Sequence, residues 1–540
     1  MIAWICAVAL QPLPHRWVYV MSNLQVAANA DKVCELIVRS KKAGYNGMVI
    51  ADSKLQRLAH VPDFYFTNVK KVQRAAEANG IELIPCVWPL GYASGMLSND
   101  VNMIEALPVK DAPFVVSGGE AWPQDRGKNL LSNGDLEAGG NNRLEGLNFQ
   151  DGAGTMSFFD PAEKHQGRQS VRLENFKGAN ARIVWTLKTQ PYHQYVLSAW
   201  SKREGLKGYV QAMALDAKGR NLVVSEMSQS SDEPWTQVRQ SFNSLDNTSV
   251  NIYVGVWGGS AGKMWWDDVS VEDAGLLNVV RRPGTPVTVT TASGTALKEG
   301  VDFAPIADPG LGQKPWPGEY DVNHPAPAIK LLKPMEGQRL KVSYYHAKTG
   351  YGNQASICLS EPKTQELMRD EARRVIELFK PKGLFWSHDE MRIACWCAAC
   401  QGKGTPGQML ARNARACAEI QEKLAPGSTV YVWNDMFDPA HNAVKDYYLT
   451  NGTLEGSWEG LPKGAVIVNW HSGQAAKSLP FFAGRGHRQI LAGYYDAPVD
   501  RIKPWLAEAK KHPGLAGVMY TTWVGDYSNL ESFAKAAWGG

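Results

Sequence analysis

The chain has no block of like charge. Its 57 lysines and arginines stand against 53 aspartates and glutamates, a net charge of +4 over 540 residues, so neither nucleic acid nor an anionic membrane is implied as a partner. No run approaches the ~18 apolar residues of a membrane span. The opening Met1 to Leu10 lacks the basic start and small-residue cleavage site of a signal peptide, and Trp17 already reads as part of a first strand. No glycine-rich phosphate loop follows any strand-like segment, which speaks against a nucleotide-binding fold. There is no H-E-x-x-H pair, nucleophile elbow or kinase signature, so peptidase, esterase and phosphotransfer chemistry have no support. Cysteines are few for the length, at positions 6, 34, 86, 358, 395, 397, 400 and 417, and a chain of this size needs no disulfide staples.

What the sequence does contain is a change of period along its length. At the front, strand-like runs at 16–21, 45–51 and 81–88 alternate with amphipathic helical segments at 31–43 and 66–79. At the back, strands at 383–387, 429–433, 465–470, 489–494 and 516–520 alternate with helices at 361–379, 406–424, 474–483 and 501–511. Eight strands alternating with helices predict a parallel sheet, and a closed (β/α)8 barrel suits them better than an open sheet. Between 127 and 275 the helical period disappears, and short β-type segments rich in Thr, Ser, Gly and aromatics take over, which predicts an all-β sandwich. The expected organisation is α/β: residues 15–126 as the first part of the barrel, 127–275 as an inserted sandwich, 276–345 as a small β-rich accessory region, and 346–540 as the second part of the barrel.

In such a barrel the reactive groups lie at the carboxyl ends of the strands. Those ends carry Asp52 on strand two, Trp88 on strand three, His388-Asp389-Glu390 on strand four, and Trp433 and Asp435 on strand five, with Trp458 and Glu459 following. Strand six ends in Trp470, strand seven in Tyr494-Tyr495-Asp496, and strand eight in Tyr520 and Trp523. Core filling alone would place aliphatic residues there. Acids among aromatics with no cofactor required are what glycosidic bond cleavage needs, and flat amphipathic rings are common surfaces for sugar rings. Two adjacent acids on a continuing strand would point to opposite faces, so Asp389 and Glu390 share one pocket only if the strand ends near His388.

This acidic pair after an apolar strand resembles that of glycoside hydrolase family 20 and related hexosaminidases. The segments 129–137 and 264–271, which bracket the β region, resemble the ends of jelly-roll carbohydrate-binding modules. The first resemblance implies Glu390 as general acid and then base, kept protonated by its surroundings, and Asp389 as the ionised group that holds the substrate's own 2-acetamido nucleophile. It further implies Tyr494 or Tyr495 as donor to the acetamido oxygen, Trp433, Trp470 and Trp523 as walls for the sugar, and Asp435 and Glu459 as partners of its hydroxyls. Ser387 and His388 depart from the family's glycine and small residue at this place, and the family's customary amino-terminal domain is missing. A two-carboxylate retaining enzyme on neutral hexosides or polysaccharide, with Glu390 as acid/base and Asp496 as nucleophile at about 5–5.5 Å, is the alternative within hydrolases. A noncatalytic glycan-binding protein is the alternative outside them.

The expected partner is an oligosaccharide or polysaccharide. No cofactor is required, although Cys395, Cys397, Cys400 and Cys417 are candidates for a structural zinc, with calcium as the other candidate ion and buried free thiols as the plain alternative. A periplasmic or secreted location is expected from the type of protein rather than from a visible signal.

Overall fold

The computed structural model describes residues 13–223, 227–351 and 354–539. The opening Met1 to Leu10, with Cys6, lies outside them. The chain divides into two compact units, one comprising residues up to Asn99 together with Leu359–Met391 and Lys403 onward, the other Asp100–Cys358 with Arg392–Gly402. No helix among the described residues is long and apolar enough to cross a membrane.

In the first unit eight parallel strands close into a barrel in chain order: β1 (His15–Met21), β2 (Gly47–Ala51), β3 (Glu82–Val87), β4 (Gly383–Trp386), β5 (Thr429–Trp433), β6 (Val466–Asn469), β7 (Arg488–Tyr494) and β8 (Leu515–Thr521). β8 returns to β1, with Gly517 opposite His15. The longer helices are α1 (Ala27–Lys42), α2 (Asp63–Asn79), α3 (Pro362–Phe379), α4 (Pro406–Leu424), α5 (Ala475–Gly484), α6 (Ile502–Ala509) and α7 (Leu530–Trp538). Between β5 and β6 the helical segments among the described residues are the short turns Asp435–Phe437 and Ser457–Gly460. Local chemistry fixes the helix starts: α4 begins with Pro406 behind a Thr405–Gln408 capping box, which satisfies two end N–H groups reciprocally.

Every second strand residue faces the barrel axis, as a period of two requires. Trp17, Tyr19, Val49, Ile84, Cys86, Phe385, Tyr431, Trp433, Val466, Val468, Ile490, Ala492 and Met519 belong to one buried cluster. Trp17 is matched to Gly47 across the β1–β2 ladder, and a Cβ at Gly47 would come within 2.4 Å of the indole. The interior is therefore packed, and open space is left at the carboxyl ends of the strands.

The second unit is rich in β-structure. Residues 106–123 do not extend the barrel, contrary to the expected boundary at 126. Ala106–Ser117 instead pairs antiparallel with Arg339–Ala347, placing Phe114 opposite Leu340 and Ala112 opposite Val342, all of them buried. These strands are central in a six-stranded sheet that also holds Glu120–Pro123, Thr288–Thr291, Ala296–Leu297 and Ile329–Lys330. The accessory region read at 276–345 thus gains its partner strands from ahead of the inserted segment, and strand pairing that distant leaves no local mark on the sequence.

A separate seven-stranded sheet runs from Phe149 to Asp273, built on the long, bulged strands Gln194–Leu215 and Ser249–Asp273. Its bracketing segments meet: Asn129 accepts the backbone N–H groups of Leu131 and Val271 and donates to the Val269 carbonyl.

Candidate active site

A cavity of about 690 Å³ opens at the carboxyl ends of the barrel strands. That size falls in the range of ligand pockets. Asp389 and Glu390 both line it. β4 ends at Trp386, so the chain is free to turn. Ser387 and Asp389 continue the inward face of Phe385, whereas Glu390 reaches the same cavity because its backbone is left-handed, with φ +50°. Such a conformation costs a residue with a Cβ about 1–2 kcal/mol. It is held by Asp435, whose carboxylate accepts the Glu390 backbone N–H at 2.9 Å and an Asn442 amide proton at 2.9 Å.

The loop after β3 closes over the pair. Gly91 lies so near that a Cβ there would sit 2.2 Å from the Asp389 carbonyl and 2.6 Å from that of Glu390. This approach brings the neighbouring Tyr92 hydroxyl to donate to the Glu390 carboxylate. Asp389 accepts from the Ser387 hydroxyl at 2.8 Å. Burial, then the charges of Asp435 and Glu390, hold Asp389 up at about 7, against the pull of the Ser387 bond. Asp389, expected from the sequence to be the ionised group, is therefore raised instead. Asp435 is raised by burial as well, so the two buried carboxylates oppose each other's ionisation.

Trp433, Trp470, Tyr495 and Trp523 line the cavity, with Tyr19 among them. Trp470 and Tyr495 are parallel, their centroids 5.8 Å apart, and Trp523 meets Tyr495 edge-on at 5.4 Å. Burial pushes the Tyr495 phenol up to about 12, with the charges of Glu390, Asp435 and Asp389 adding to the effect. It is therefore a proton donor throughout the neutral range. Asp52 also lines the cavity, but its oxygens are engaged by the backbone N–H groups of Leu24 and Lys54 and by the Tyr65 hydroxyl.

The other residues read from the sequence are placed elsewhere. Trp88 has φ +56°, which turns its ring into the wall, where Nε1 donates to the Met368 carbonyl of α3. His388 alternates outward with Trp386, stacks on it at 5.3 Å, and is lowered by burial to about 3, so it is a neutral wall residue. Asp435 is fully buried behind the acid pair. Trp458 and Glu459 ride on the turn Ser457–Gly460, where Trp458 packs on Phe481 and Glu459 is 3.9 Å from Arg485.

On β7, Tyr494 would face inward after Ala492, but φ +67° sends its ring onto Tyr520, and its hydroxyl donates to Asp526. Tyr520 alternates with the inward Met519 and donates to the Asp526 carbonyl. Asp496 accepts the Thr522 hydroxyl at 2.5 Å and the Trp523 backbone N–H at 2.8 Å, so both its oxygens serve to hold the Trp523 segment. Tyr92 and Tyr19 were not among the residues read from the sequence. Tyr92 stands well beyond the end of its strand, outside the strand-end rule, and Tyr19 lies inside a strand. Of the four candidate zinc ligands, Cys417 belongs to α4 of the first unit, where its thiol faces Asn413 at 3.6 Å, whereas Cys395, Cys397 and Cys400 belong to the second unit.

No protein-family model matches the sequence, and no curated protein matches it. Solved structures similar to parts of the chain include a family 16 carbohydrate-binding module, 18% identical over 27% of this chain and all of its own, with a TM-score of 0.21. TmCBM61 in complex with β-1,4-galactotriose is 18% identical over 27% of this chain and 99% of its own, with a TM-score of 0.22. A β-N-acetylhexosaminidase is 15% identical over 36% of this chain and 46% of its own, with a TM-score of 0.28.

Proposed function

We propose that the protein is a glycoside hydrolase built on a (β/α)8 barrel, acting on glycans that contain N-acetylhexosamine, with Glu390 as general acid and then base. The observation that carries this reading is the supply of carboxylates. Among the described residues, Asp52, Asp389 and Glu390 are the acids lining the cavity, and the oxygens of Asp52 are already engaged. A two-carboxylate retaining mechanism needs a free acid on the opposite face of the sugar, about 5–5.5 Å from the first. Asp496, the candidate for that role, spends both oxygens on Thr522 and Trp523. A substrate that brings its own nucleophile removes the need.

In this mechanism Glu390 acts as the proton donor, and an acetamido N–H that donates to Asp389 favours the charged form of that carboxylate. Glu390 gives its proton to the glycosidic oxygen as the C1–O bond breaks. The acetamido oxygen closes onto C1, with Tyr495 as the donor to it. Water then attacks C1, its proton goes to Glu390, and the acetamido group is released intact. Trp433, Trp470 and Trp523 supply faces for the sugar rings. The seven-stranded region is, in this reading, a carbohydrate-binding sandwich that adds a second contact with the oligosaccharide or polysaccharide.

The test is hydrolysis of paired aryl glycosides with and without a 2-acetamido group. Turnover confined to the acetamido sugars is the expected result. Equal turnover of plain hexosides would overturn the substrate-assisted mechanism, and inactivity on aryl glycosides and glycans alike, with binding retained, would make this a glycan-binding protein.

A further inference from the structure

The second unit contains a sulfur cluster that the proposed hydrolysis does not use. Cys358 Sγ lies 3.4 Å from Cys397 Sγ and 3.8 Å from Cys400 Sγ, and the latter two are 3.5 Å apart. These separations are well beyond an S–S bond of about 2.05 Å. They match the edges of a tetrahedron whose centre lies about 2.3 Å from each sulfur, the Zn–S distance, for which an edge is roughly 3.8 Å. A carboxylate oxygen of Glu105 lies within 4.8 Å of all three sulfurs, and all four residues are buried. We propose that Glu105, Cys358, Cys397 and Cys400 form a closed, structural zinc site.

The surroundings are organised for thiolates. Arg282 Nη1 donates to Cys397 Sγ at 3.5 Å, and its other nitrogens are fixed by the carbonyls of Asn102 and Ile104. Glu105 accepts the backbone N–H groups of Cys395 at 3.0 Å and of Cys397 at 3.2 Å, so it also holds the loop that presents the sulfurs. Cys397 and Cys400 flank a C-x-x-C turn in which the Cys400 N–H donates to the Cys397 carbonyl at 3.0 Å. Three chain segments far apart in sequence converge here: Cys358 donates its N–H to the Met103 carbonyl, and Glu105 donates its own to Ser356. Three soft sulfurs suit zinc and not calcium, which takes oxygen donors, and four protein donors leave no open position for substrate. The ion would tie these segments together, and its charge, with that of Arg282, would offset the buried anions.

The site is tested by metal analysis of the full chain purified under reducing conditions. One zinc per chain is expected, with an X-ray absorption first shell of three sulfurs at about 2.3 Å and one oxygen at about 2.0–2.2 Å. Cys358→Ser and Cys400→Ser should lose the zinc, and Cys417→Ser should keep it. Should the serine variants fail to fold, chelation of the wild type should lower its Tm and zinc should restore it. A wild type that neither carries nor takes up an equivalent of zinc, a disulfide among these cysteines in a non-reducing peptide map, or full zinc retention in Cys358→Ser would each overturn the site.

Discussion

Asp435, fully buried, accepts the backbone N–H of Glu390 at 2.9 Å, and its charge stands next after burial among the causes that hold Asp389 up at about 7. One carboxylate therefore sets both the backbone of one acid and the ionisation of the other. In Asp435→Asn that charge is gone, Asp389 ionises at lower pH, and the acid limb of the kcat/KM profile moves down from about 7. The weakened hold on Glu390 should also reduce kcat, by about 10-fold for the loss of roughly 1.4 kcal/mol of positioning. A pH–rate profile of the variant checks both effects.

Tyr92 donates to Glu390 from a half-exposed position on the loop that Gly91 lets approach. Tyr92→Phe should lower kcat by about 10-fold, on the scale of one hydrogen bond, with little change in Tm. Steady-state kinetics and a melting curve on the same preparation separate the two.

Asp389 holds its proton up to about pH 7 in the folded protein, against an ordinary value of 3.8. Stability tied to this group is full below the ordinary value and is lost as pH rises through about 7, because the buried carboxylate must then ionise. Asp389→Asn removes that burden, so its Tm should exceed the wild type's at about pH 8 and approach it near pH 4, while activity collapses. Thermal melts across this range provide the check.

Asp496 holds Trp523 through its backbone N–H. Asp496→Asn should therefore raise KM more than it lowers kcat, since a wall of the cavity is loosened while the acid pair is untouched. A kcat collapse rescued by azide as a glycosyl azide would instead identify Asp496 as a nucleophile.

The barrel strands were legible because each is a short apolar run between turn signals, and β5 at Thr429–Trp433 coincides with its sequence reading residue for residue. The acid pair was legible because Asp389 and Glu390 end such a run. Which neighbours share their cavity was not, since five strand-end residues, Trp88, Glu390, Tyr494, Tyr495 and Asp496, take left-handed backbone that breaks the alternation of faces. Tyr494 is turned away by this effect and Glu390 is brought in by it. The pairing of Ala106–Ser117 with Arg339–Ala347 was equally hidden, as was the association of Cys358 with Cys397 and Cys400, because contacts across such separations leave no periodic trace.

The central claim is that Glu390 supplies the proton to the leaving group, and the most direct measurement compares Glu390→Gln with the wild type on two acetamido substrates of unequal leaving groups. On a natural-type disaccharide, whose leaving alcohol needs the proton, the variant should lose about 10²–10⁴-fold in kcat/KM, the usual contribution of general acid catalysis. On a dinitrophenyl glycoside, whose leaving group needs none, the loss should be far smaller. Equal losses on both substrates, or undiminished activity on the disaccharide, would contradict the assignment.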